Sequence, residues 1–274
     1  MTVANLRDVL LPALSGRYAV AGLVVQGWED ARAYVDAAEA EGVPIILQCG
    51  PGARAHMPLR VFGTMFRVLM EDASVPVVAH LDHGDGMDVC RAAVDYGFTS
   101  VMFDGSLLPV AQNVALTADI VAMAHAAGVS VEAEVGYVGY AGGAASQGTS
   151  PDEAALMQAT GIDALAVAVG NTHLMTSPGG ILDWTRLRAI EAACPGLPLV
   201  LHGGSGLSAD LRRRLARESA VCKFNIGTEL RQAFGVALRG VLAADGAVFD
   251  RNVILGGTMA VTTAAARGML RSIS

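Results

Sequence analysis

The sequence is poor in lysine, in aromatic residues and in charge. It contains one lysine, Lys223, among 19 basic residues, and only 5% of its 274 residues are aromatic and 16% charged. The formal net charge is −7, and no stripe of interleaved basic and aromatic residues is present. These deficits exclude the non-specific binding of nucleic acid, which depends on a basic surface.

Paired cysteines and long apolar runs are also lacking. The four cysteines, Cys49, Cys90, Cys194 and Cys222, are far apart and form no CxxC pair, so they predict neither a disulfide framework nor a thiolate zinc site. The apolar runs are interrupted by Gly, Pro, Asp or His before reaching the ~20 residues of a membrane-spanning helix. Residues 1–14 do not resemble a signal peptide. We therefore expect a cytoplasmic protein that does not bind a membrane.

What recurs along the chain is a short apolar run followed by an alanine-rich helical pattern. Near-continuous apolar runs are typical of parallel strands covered on both faces. The predicted strands are Ala19–Val25, Pro44–Cys49, Val75–Leu81, Ser100–Phe103, Val129–Glu134, Ala164–Val169, Leu197–Leu201 and Val221–Ile226. The predicted helices include Trp28–Glu41, Val61–Asp72, Met87–Tyr96, Ala111–Ala127 and Ala209–Ser219.

The number of strand–helix units indicates the fold class. Eight units in roughly 250 residues match a (β/α)8 TIM barrel, whereas a doubly wound sheet of eight strands would be unusually wide. Most of the polar residues of interest follow strands, where barrel active sites form. We predict a single TIM-barrel domain over residues 1–274, with its active site at the C-terminal ends of the strands.

Three predicted strands each end near a histidine. His83 follows the third strand, His173 the sixth and His202 the seventh. Three imidazole ligands with an open fourth position are typical of catalytic rather than structural zinc. We therefore predict a metal site at the rim. His56, placed in a loop, and His125, on a helix, are interpreted as ordinary polar residues, and His80 as a residue that could orient Asp82.

Two glycine-rich turns follow the last two strands. Residues 202–206 read His-Gly-Gly-Ser-Gly, and residues 225–229 read Asn-Ile-Gly-Thr-Glu. Both turns lead into helices. Backbone N–H groups, small hydroxyls and a helix N-terminus at this position form the usual phosphate site of barrels. The turns predict a phosphate-binding cradle.

Taken in order, these motifs resemble those of the class II fructose-/tagatose-bisphosphate aldolases. The resemblance extends from about Tyr18 to Arg231. The motifs that carry it are His-Leu-Asp-His (80–83), Phe-Asp-Gly-Ser (103–106), Glu-Ala-Glu-Val-Gly (132–136), Gly-Asn-Thr-His (170–173), His-Gly-Gly-Ser-Gly (202–206) and Lys-Phe-Asn-Ile-Gly-Thr-Glu (223–229).

The resemblance implies a zinc-dependent aldolase that reversibly cleaves a phosphorylated ketose to dihydroxyacetone phosphate and an aldehyde. It implies Zn²⁺, or another divalent metal, on His83, His173 and His202, with Glu134 as an alternative ligand. Asp82 would exchange a proton with the C4 hydroxyl. A monovalent cation often accompanies the phosphate in this family, whose members form homodimers or homotetramers. The implied substrate-binding residues are Gly170, Gly203, Ser205, Asn225, Gly227 and Thr228.

The sequence departs from the family pattern at four places. Leu23-Val24 replaces a Phe-Asn pair, Gly50 replaces a serine, and Leu174 replaces a glycine. The loop of residues 137–147 lacks the acidic residues that include the family's enolising base. Tyr137, Tyr140 or the Asp152-Glu153 pair could substitute for that base, or the donor could differ from dihydroxyacetone phosphate.

Three alternative functions remain open, and the altered loop makes the first of them the strongest. The same metal scaffold could catalyse an epimerisation or the cleavage of a different hydroxy-ketone. A non-catalytic sugar-phosphate-binding protein is disfavoured, because binding alone does not require Asp82. A Schiff-base aldolase would have to use Lys223, which lies on the same strand face as Asn225.

Overall fold

The computed structural model describes residues 2–139, 142–143, 146–176, 179 and 182–273. Within these residues, eight parallel strands alternate with helices and close into a barrel, which confirms the predicted (β/α)8 fold. The strands are β1 (Val3–Ala4), which lies outside the barrel, and β2 (Val20–Val24), β3 (Ile45–Cys49), β4 (Val77–Gly84), β5 (Ser100–Phe103), β6 (Ser130–Val135), β7 (Ala164–Val167), β8 (Leu199–Leu201) and β9 (Val221–Ile226).

The helices cover the outside of the barrel and close its lower end. They are α1 (Leu6–Gly16), α2 (Trp28–Glu41), α3 (Pro51–His56), α4 (Leu59–Asp72), α5 (Met87–Asp95), α6 (Val110–Ala126), α7 (Pro151–Gln158), α8 (Trp184–Ala193), α9 (Ala209–Glu218), α10 (Thr228–Ala244), α11 (Arg251–Gly256) and α12 (Met259–Arg271).

The strand order explains why the predicted site residues meet. The barrel runs β4-β3-β2-β9-β8-β7-β6-β5 and closes through pairing of β5 with β4, while β1 adds to the start of β4. All barrel pairings are parallel. The carboxyl ends of the strands therefore share one rim, and residues that follow different strands come together there.

Two apolar layers hold the barrel together. The strands bury one set of side chains beneath the surrounding helices. Inside the barrel, Ile46, Val78 and Val200 form a second cluster, which also includes Leu6 and Leu10 of α1. Helix α1 therefore plugs the end of the barrel opposite the predicted site. It begins with a capping box, in which Asn5 and Asp8 satisfy each other's backbone N–H groups.

Several boundaries differ from the sequence-based prediction. The third barrel strand, β4, continues through the His-Leu-Asp-His motif to Gly84, whereas the apolar pattern predicts an end at Leu81. His56 is the last residue of α3 rather than part of a loop, so that prediction was wrong. Helix α1 was not predicted, because its apolar residues pack into the barrel only once the barrel has formed.

One segment meets the length and composition of a membrane-spanning helix. Among the described residues this is Arg251–Arg271, which comprises α11 and α12. Helix α12 packs against α2 and buries Ala266, Met269 and Leu270 in the outer apolar layer. This packing accounts for the apolar side chains of the second half of the segment.

Candidate active site

The three histidines that the sequence singled out lie together at the rim. His83 is on β4, His173 follows β7, and His202 follows β8. One nitrogen from each ring lies within 4.8 Å of the others. The ring centroids are 5.4 Å apart for His83 and His173, 4.7 Å for His83 and His202, and 5.5 Å for His173 and His202. The arrangement can hold one metal ion with an open coordination position.

Carboxylates orient two of these rings. His83 Nδ1 bonds Asp104 Oδ2 at 2.7 Å, and His202 Nε2 bonds Glu132 Oε1 at 3.1 Å. These bonds leave Nε2 of His83 and Nδ1 of His202 as the nitrogens that could bind a metal ion. A carboxylate on the second nitrogen of a metal-binding histidine fixes the ring and raises its basicity. Asp104 and Glu132 thus fit a metal site.

Two buried atoms provide a separate test of whether a cation fits. His202 Nδ1 and Glu134 Oε2 are buried and have no hydrogen-bond partner. They lie 3.4 Å apart, and Glu134 Oε2 is 3.8 Å from His83 Nδ1. Unsatisfied buried polar atoms are costly, and a divalent cation would satisfy both. His83, Asp104 and Glu134 also form a second group with ligand atoms within 4.8 Å of one another, which supports Glu134 as an alternative ligand.

The site has strongly perturbed pKa values. Burial by itself would lower the pKa of His83. The negative charge of Asp82, the hydrogen bond from His83 to Asp104 and the negative charge of Glu134 outweigh burial and raise the pKa of His83 to about 10. Burial and the charge of His83 lower the pKa of His173 to about 4. Burial raises the pKa of Glu134 to about 8. Such clustered shifts are typical of functional sites.

Asp82 is held by two side-chain amides. Its Oδ1 accepts hydrogen bonds from Gln48 Nε2 at 2.9 Å and from Asn225 Nδ2 at 3.0 Å. Gln48 was not predicted, although it is the one polar residue of an otherwise apolar strand. It needs Gly22 on the adjacent strand, because a Cβ there would lie 1.8 Å from Gln48 Oε1.

His80 does not orient Asp82, contrary to the sequence-based suggestion. It is fully buried, and its Nδ1 bonds Ser100 Oγ at 2.8 Å. Its Nε2 lies 3.4 Å from Lys223 Nζ. His80 and Asp82 are two residues apart on β4, as the suggestion assumed. However, pairing of β4 with β5 places Ser100, rather than the Asp82 carboxylate, beside the His80 ring.

A buried ion pair lies beneath the histidines. Lys223 Nζ donates to Glu132 Oε2 at 2.6 Å, and both side chains are fully buried. The other oxygen of Glu132 holds His202, so the ion pair is linked directly to a predicted metal ligand. Lys223 therefore has a structural partner. This disfavours the Schiff-base alternative, which needs an uncharged lysine amine facing the substrate.

A cavity of about 360 Å³ opens beside the histidines. Its lining includes Asp82, His83 and His173, and it also includes five of the predicted substrate-binding residues, Gly203, Ser205, Asn225, Gly227 and Thr228. Gly170 is not part of this lining; it is an exposed turn residue with φ +100°. Arg231 was not predicted as a site residue, yet it also lines the cavity and donates to Thr228 Oγ1 at 3.1 Å.

The two glycine-rich turns form one cradle. Residues Gly204–Gly206 make a 3-10 turn after β8, and α10 begins at Thr228. The backbone N–H of Glu229 donates to Ser205 Oγ at 3.2 Å, which joins the turns. Gly203 has φ +68°, and a Cβ there would lie 2.2 Å from Thr172 O. The helix N-terminus and small polar groups suit a phosphate.

The described part of the loop after β6 supplies no carboxylate to this cavity. Tyr137 pairs with Gln147, and Asp152 and Glu153 lie in the first turn of α7; none of these residues lines the cavity. Tyr140 lies outside the described residues. The loop contacts the site through its backbone, because Gly139 O accepts from His173 N at 2.8 Å.

The other departures from the family pattern also lie at the cavity. Val24, Gly50 and Leu174 are all part of its lining. A Cβ at Gly50 would lie 3.3 Å from Asp82 Oδ2, so a serine there would contact that carboxylate. Leu174 adopts φ +59°, a conformation that favours glycine. The differences are therefore concentrated where a substrate would bind.

Comparison with solved structures supports the assignment of the fold and the family. The YdjI aldolase from Escherichia coli K12 superposes with a TM-score of 0.87 at 30% sequence identity, covering 99% of this chain and 97% of that chain. A putative fructose-1,6-bisphosphate aldolase from Coccidioides immitis superposes with a TM-score of 0.82 at 28% identity, covering 96% of this chain and 94% of that chain.

Sequence comparison gives the same family. Residues 4–273 match the family model described as fructose-bisphosphate aldolase class-II. Fructose-bisphosphate aldolase of Geobacillus stearothermophilus is 39% identical over 264 residues, covering 93% of this chain and 91% of that protein. The Staphylococcus aureus enzyme of the same name is 37% identical over 265 residues, covering 93% of this chain and 92% of that protein. The chain belongs to the class II fructose-bisphosphate aldolase family, and it is a lyase that acts on a carbon–carbon bond.

Proposed function

We propose that this protein is a zinc-dependent aldolase of the cytoplasm that reversibly cleaves a phosphorylated ketose to dihydroxyacetone phosphate and an aldehyde. The observation that carries the proposal is the single cavity that joins His83 and His173 to Asp82 and to the glycine-rich cradle. An aldol cleavage needs these three functions together: an electrophile for the carbonyl oxygen, a proton acceptor for the hydroxyl and an anchor for the phosphate.

His83, His173 and His202 would hold the metal, with Glu134 as the alternative ligand. A divalent cation bound there supplies Lewis-acid polarisation of the substrate's carbonyl oxygen. The protein's own contribution is to fix the ligand rings through Asp104 and Glu132. Glu132, Glu134 and His202 are buried, and burial strengthens electrostatic interactions within the site.

Asp82 is proposed to take the proton from the C4 hydroxyl in cleavage and to return it in synthesis. Gln48 and Asn225 both donate to one oxygen, Oδ1. The other oxygen, Oδ2, lies close to Gly50, which lines the cavity together with Asp82. The two amides therefore hold the carboxylate through Oδ1 and leave Oδ2 free to accept the proton.

The cradle is proposed to bind the phosphate of the donor half. Gly203, Ser205, Gly227 and Thr228 present small polar groups at the N-terminus of α10, and a monovalent cation could complete the site, as in the family. Binding energy at the phosphate, remote from the reacting carbons, helps to hold those carbons in register.

A second candidate function keeps the metal site but changes the donor or the reaction. The described residues of the loop that normally carries the enolising base place no carboxylate in the cavity. This favours an epimerisation or the cleavage of another hydroxy-ketone as the alternative. A protein that only binds sugar phosphates is a weaker candidate, because binding gives no reason to bury Asp82 beneath two amide donors.

The deciding experiment is proton exchange at C3 of dihydroxyacetone phosphate in D2O, followed by NMR with zinc and with a chelator. We expect zinc-dependent exchange, because polarisation of the carbonyl acidifies the adjacent C–H bond. Absence of exchange from zinc-loaded protein would contradict the proposed donor and favour the second candidate. In that case the same experiment should be repeated with non-phosphorylated hydroxy-ketones.

A further inference from the structure

Asp82 and His83 are adjacent in sequence, yet both line the same cavity. Successive residues of a regular strand point to opposite faces. Here the pairing of β4 with β5 is irregular, with Leu81 opposite Val101 but Gly84 opposite Phe103. One extra residue is therefore accommodated on β4, as in a β-bulge.

The bulge leaves this piece of backbone with little support from neighbouring strands. Pairing with β3 ends at Leu81, which lies opposite Cys49, so Asp82 and His83 extend past the end of β3. His83 has φ +49°, a left-handed conformation that is unfavourable for a residue with a side chain. The surrounding structure must hold it there.

Arg54 makes the contact that holds it. Its Nη1 donates to the carbonyl of Asp82 at 2.9 Å, and its Nη2 donates to the carbonyl of His83 at 2.7 Å. The planar guanidinium thus spans two consecutive carbonyls. Arg54 belongs to α3, which occupies the position beyond the end of β3, so its side chain supplies the donors that a longer β3 would have supplied.

We propose that Arg54 is a positioning residue of the active site, which holds the bulge so that Asp82 and His83 both face the substrate cavity. The proposal rests on the roles proposed above for those two residues. Arg54 acts through the backbone, and it need not contact the substrate. A lysine could not replace it, because a single ammonium group lacks the two fixed donors of the fork.

The test compares Arg54→Ala and Arg54→Lys with Arg60→Ala, in which an exposed arginine of the neighbouring helix α4 is removed as a control. Zinc alone is the first probe, titrated in competition with a chelator. Turnover of fructose 1,6-bisphosphate is the second, measured with and without a non-denaturing concentration of guanidinium. Thermal unfolding of the chelated proteins reports any general loss of stability.

We expect both Arg54 variants to bind zinc at least ~10-fold more weakly, as for the loss of other groups that orient metal ligands. We also expect kcat to fall more than KM rises, added guanidinium to restore part of the activity of Arg54→Ala, and Arg60→Ala to behave as wild type. Zinc affinity and kcat within twofold of wild type in Arg54→Ala would overturn the proposal, as would full activity of Arg54→Lys. A loss of thermal stability without any change in zinc affinity would also overturn it.

The outcomes separate this proposal from the proposed function. A wild-type protein that binds no zinc would refute both. A wild-type protein that binds zinc but cleaves no ketose phosphate would refute only the proposed function, because the zinc titration still measures the effect of Arg54. Wild-type cleavage together with unaffected Arg54 variants would refute only the role of Arg54.

Discussion

Asp82 illustrates how the environment of one residue sets its role. Its side chain is buried, and its Oδ1 accepts hydrogen bonds from two neutral amides, those of Gln48 and Asn225, rather than from a cation. The two amides occupy only Oδ1, so Oδ2 remains available as a proton acceptor. The family resemblance identified Asp82, whereas its partner Gln48 became visible only in the folded chain.

We expect Asp82→Ala to retain zinc but to slow ketose cleavage by at least ~100-fold, because proton transfer to the C4 oxygen would lose its acceptor. Steady-state cleavage rates and the bound metal content provide the measurement. Proton exchange at C3 of dihydroxyacetone phosphate should persist, since it does not involve that hydroxyl. Cleavage at the wild-type rate would remove Asp82 from the mechanism.

At the level of secondary structure elements, a buried network of polar side chains links residues on or directly after four strands of the barrel. Lys223 of β9 pairs with Glu132 of β6, and Glu132 also bonds His202 after β8. His80 of β4 lies 3.7 Å from the same carboxylate. A buried pair costs desolvation energy, and its position here connects the barrel interior to His202, one of the proposed metal ligands.

We expect Lys223→Met to destabilise the protein by about 3–5 kcal/mol, because it leaves Glu132 charged and buried without a cation. The double variant Lys223→Met/Glu132→Gln should recover part of that loss. Arg214→Met, which breaks the exposed pair with Glu218, should cost less than about 1 kcal/mol. Urea denaturation measures all three. Equal losses for Lys223→Met and Arg214→Met would argue against a buried charge network.

A second element-level interaction joins α2 to α12. Glu41 at the end of α2 accepts hydrogen bonds from Arg271 and Arg267 of α12, at 2.8 Å and 2.6 Å for the two Nε atoms. The hydrogen bonds from Arg271 and then Arg267 lower the pKa of Glu41 from 4.5 to about 2. The contribution of the ionised Glu41 carboxylate to the stability of the folded protein is therefore fully present above pH 4.5. It is lost as the pH falls towards 2.

We expect Glu41→Gln to be less stable than wild type at pH 7, with a difference that shrinks as the pH is lowered from 4.5 towards 2. Denaturant unfolding at pH 7, 4.5 and 3 tests this. Glu218→Gln, which alters an exposed carboxylate of α9, serves as the control. A difference between Glu41→Gln and wild type that stays constant with pH would show that the carboxylate charge is not what stabilises the contact.

For the whole molecule, metal binding and folding stability should be linked. Three strands deliver the histidines, so a bound ion would bridge distant parts of the chain and stabilise only the folded state. At zinc concentrations 100 times the dissociation constant, the gain is about 2.7 kcal/mol. The site is therefore expected to change the thermal stability of the entire barrel.

We expect a chelator to lower the melting temperature of wild type but not that of His173→Ala, which should lose zinc and activity together. His125→Ala is the matched control, because His125 lies on α6 and bonds Asp163 at 2.8 Å rather than the metal site. Calorimetry with and without chelator, together with metal analysis, measures the effect. Full activity of His173→Ala without metal would refute the ligand assignment.

The oligomeric state is also a property of the whole molecule, and it stays a prediction. The family resemblance implies a homodimer or a homotetramer, whereas neither the net charge nor the fold specifies one. Light scattering after size-exclusion chromatography should give two or four times the chain mass of 28.2 kDa. A mass equal to that of one chain would contradict this expectation.

The fold, and the composition of much of the candidate site, could be predicted from the sequence alone. Short apolar runs alternating with helical patterns predicted the barrel because parallel strands buried on both faces leave a local signature. His83, His173 and His202 could be identified because each follows such a run. The cradle could be identified because glycine-rich turns have their own local chemistry.

The partners that side chains find across the barrel, in contrast, could be identified only in the folded chain. His80 bonds Ser100 rather than Asp82, Gly170 lies outside the cavity lining, and Arg54 bonds the backbone of a bulge. Each of these outcomes depends on strand register and barrel closure, which bring together residues far apart in sequence. The local pattern of a strand specifies which residues alternate along it, but the neighbouring strands specify what each side chain meets.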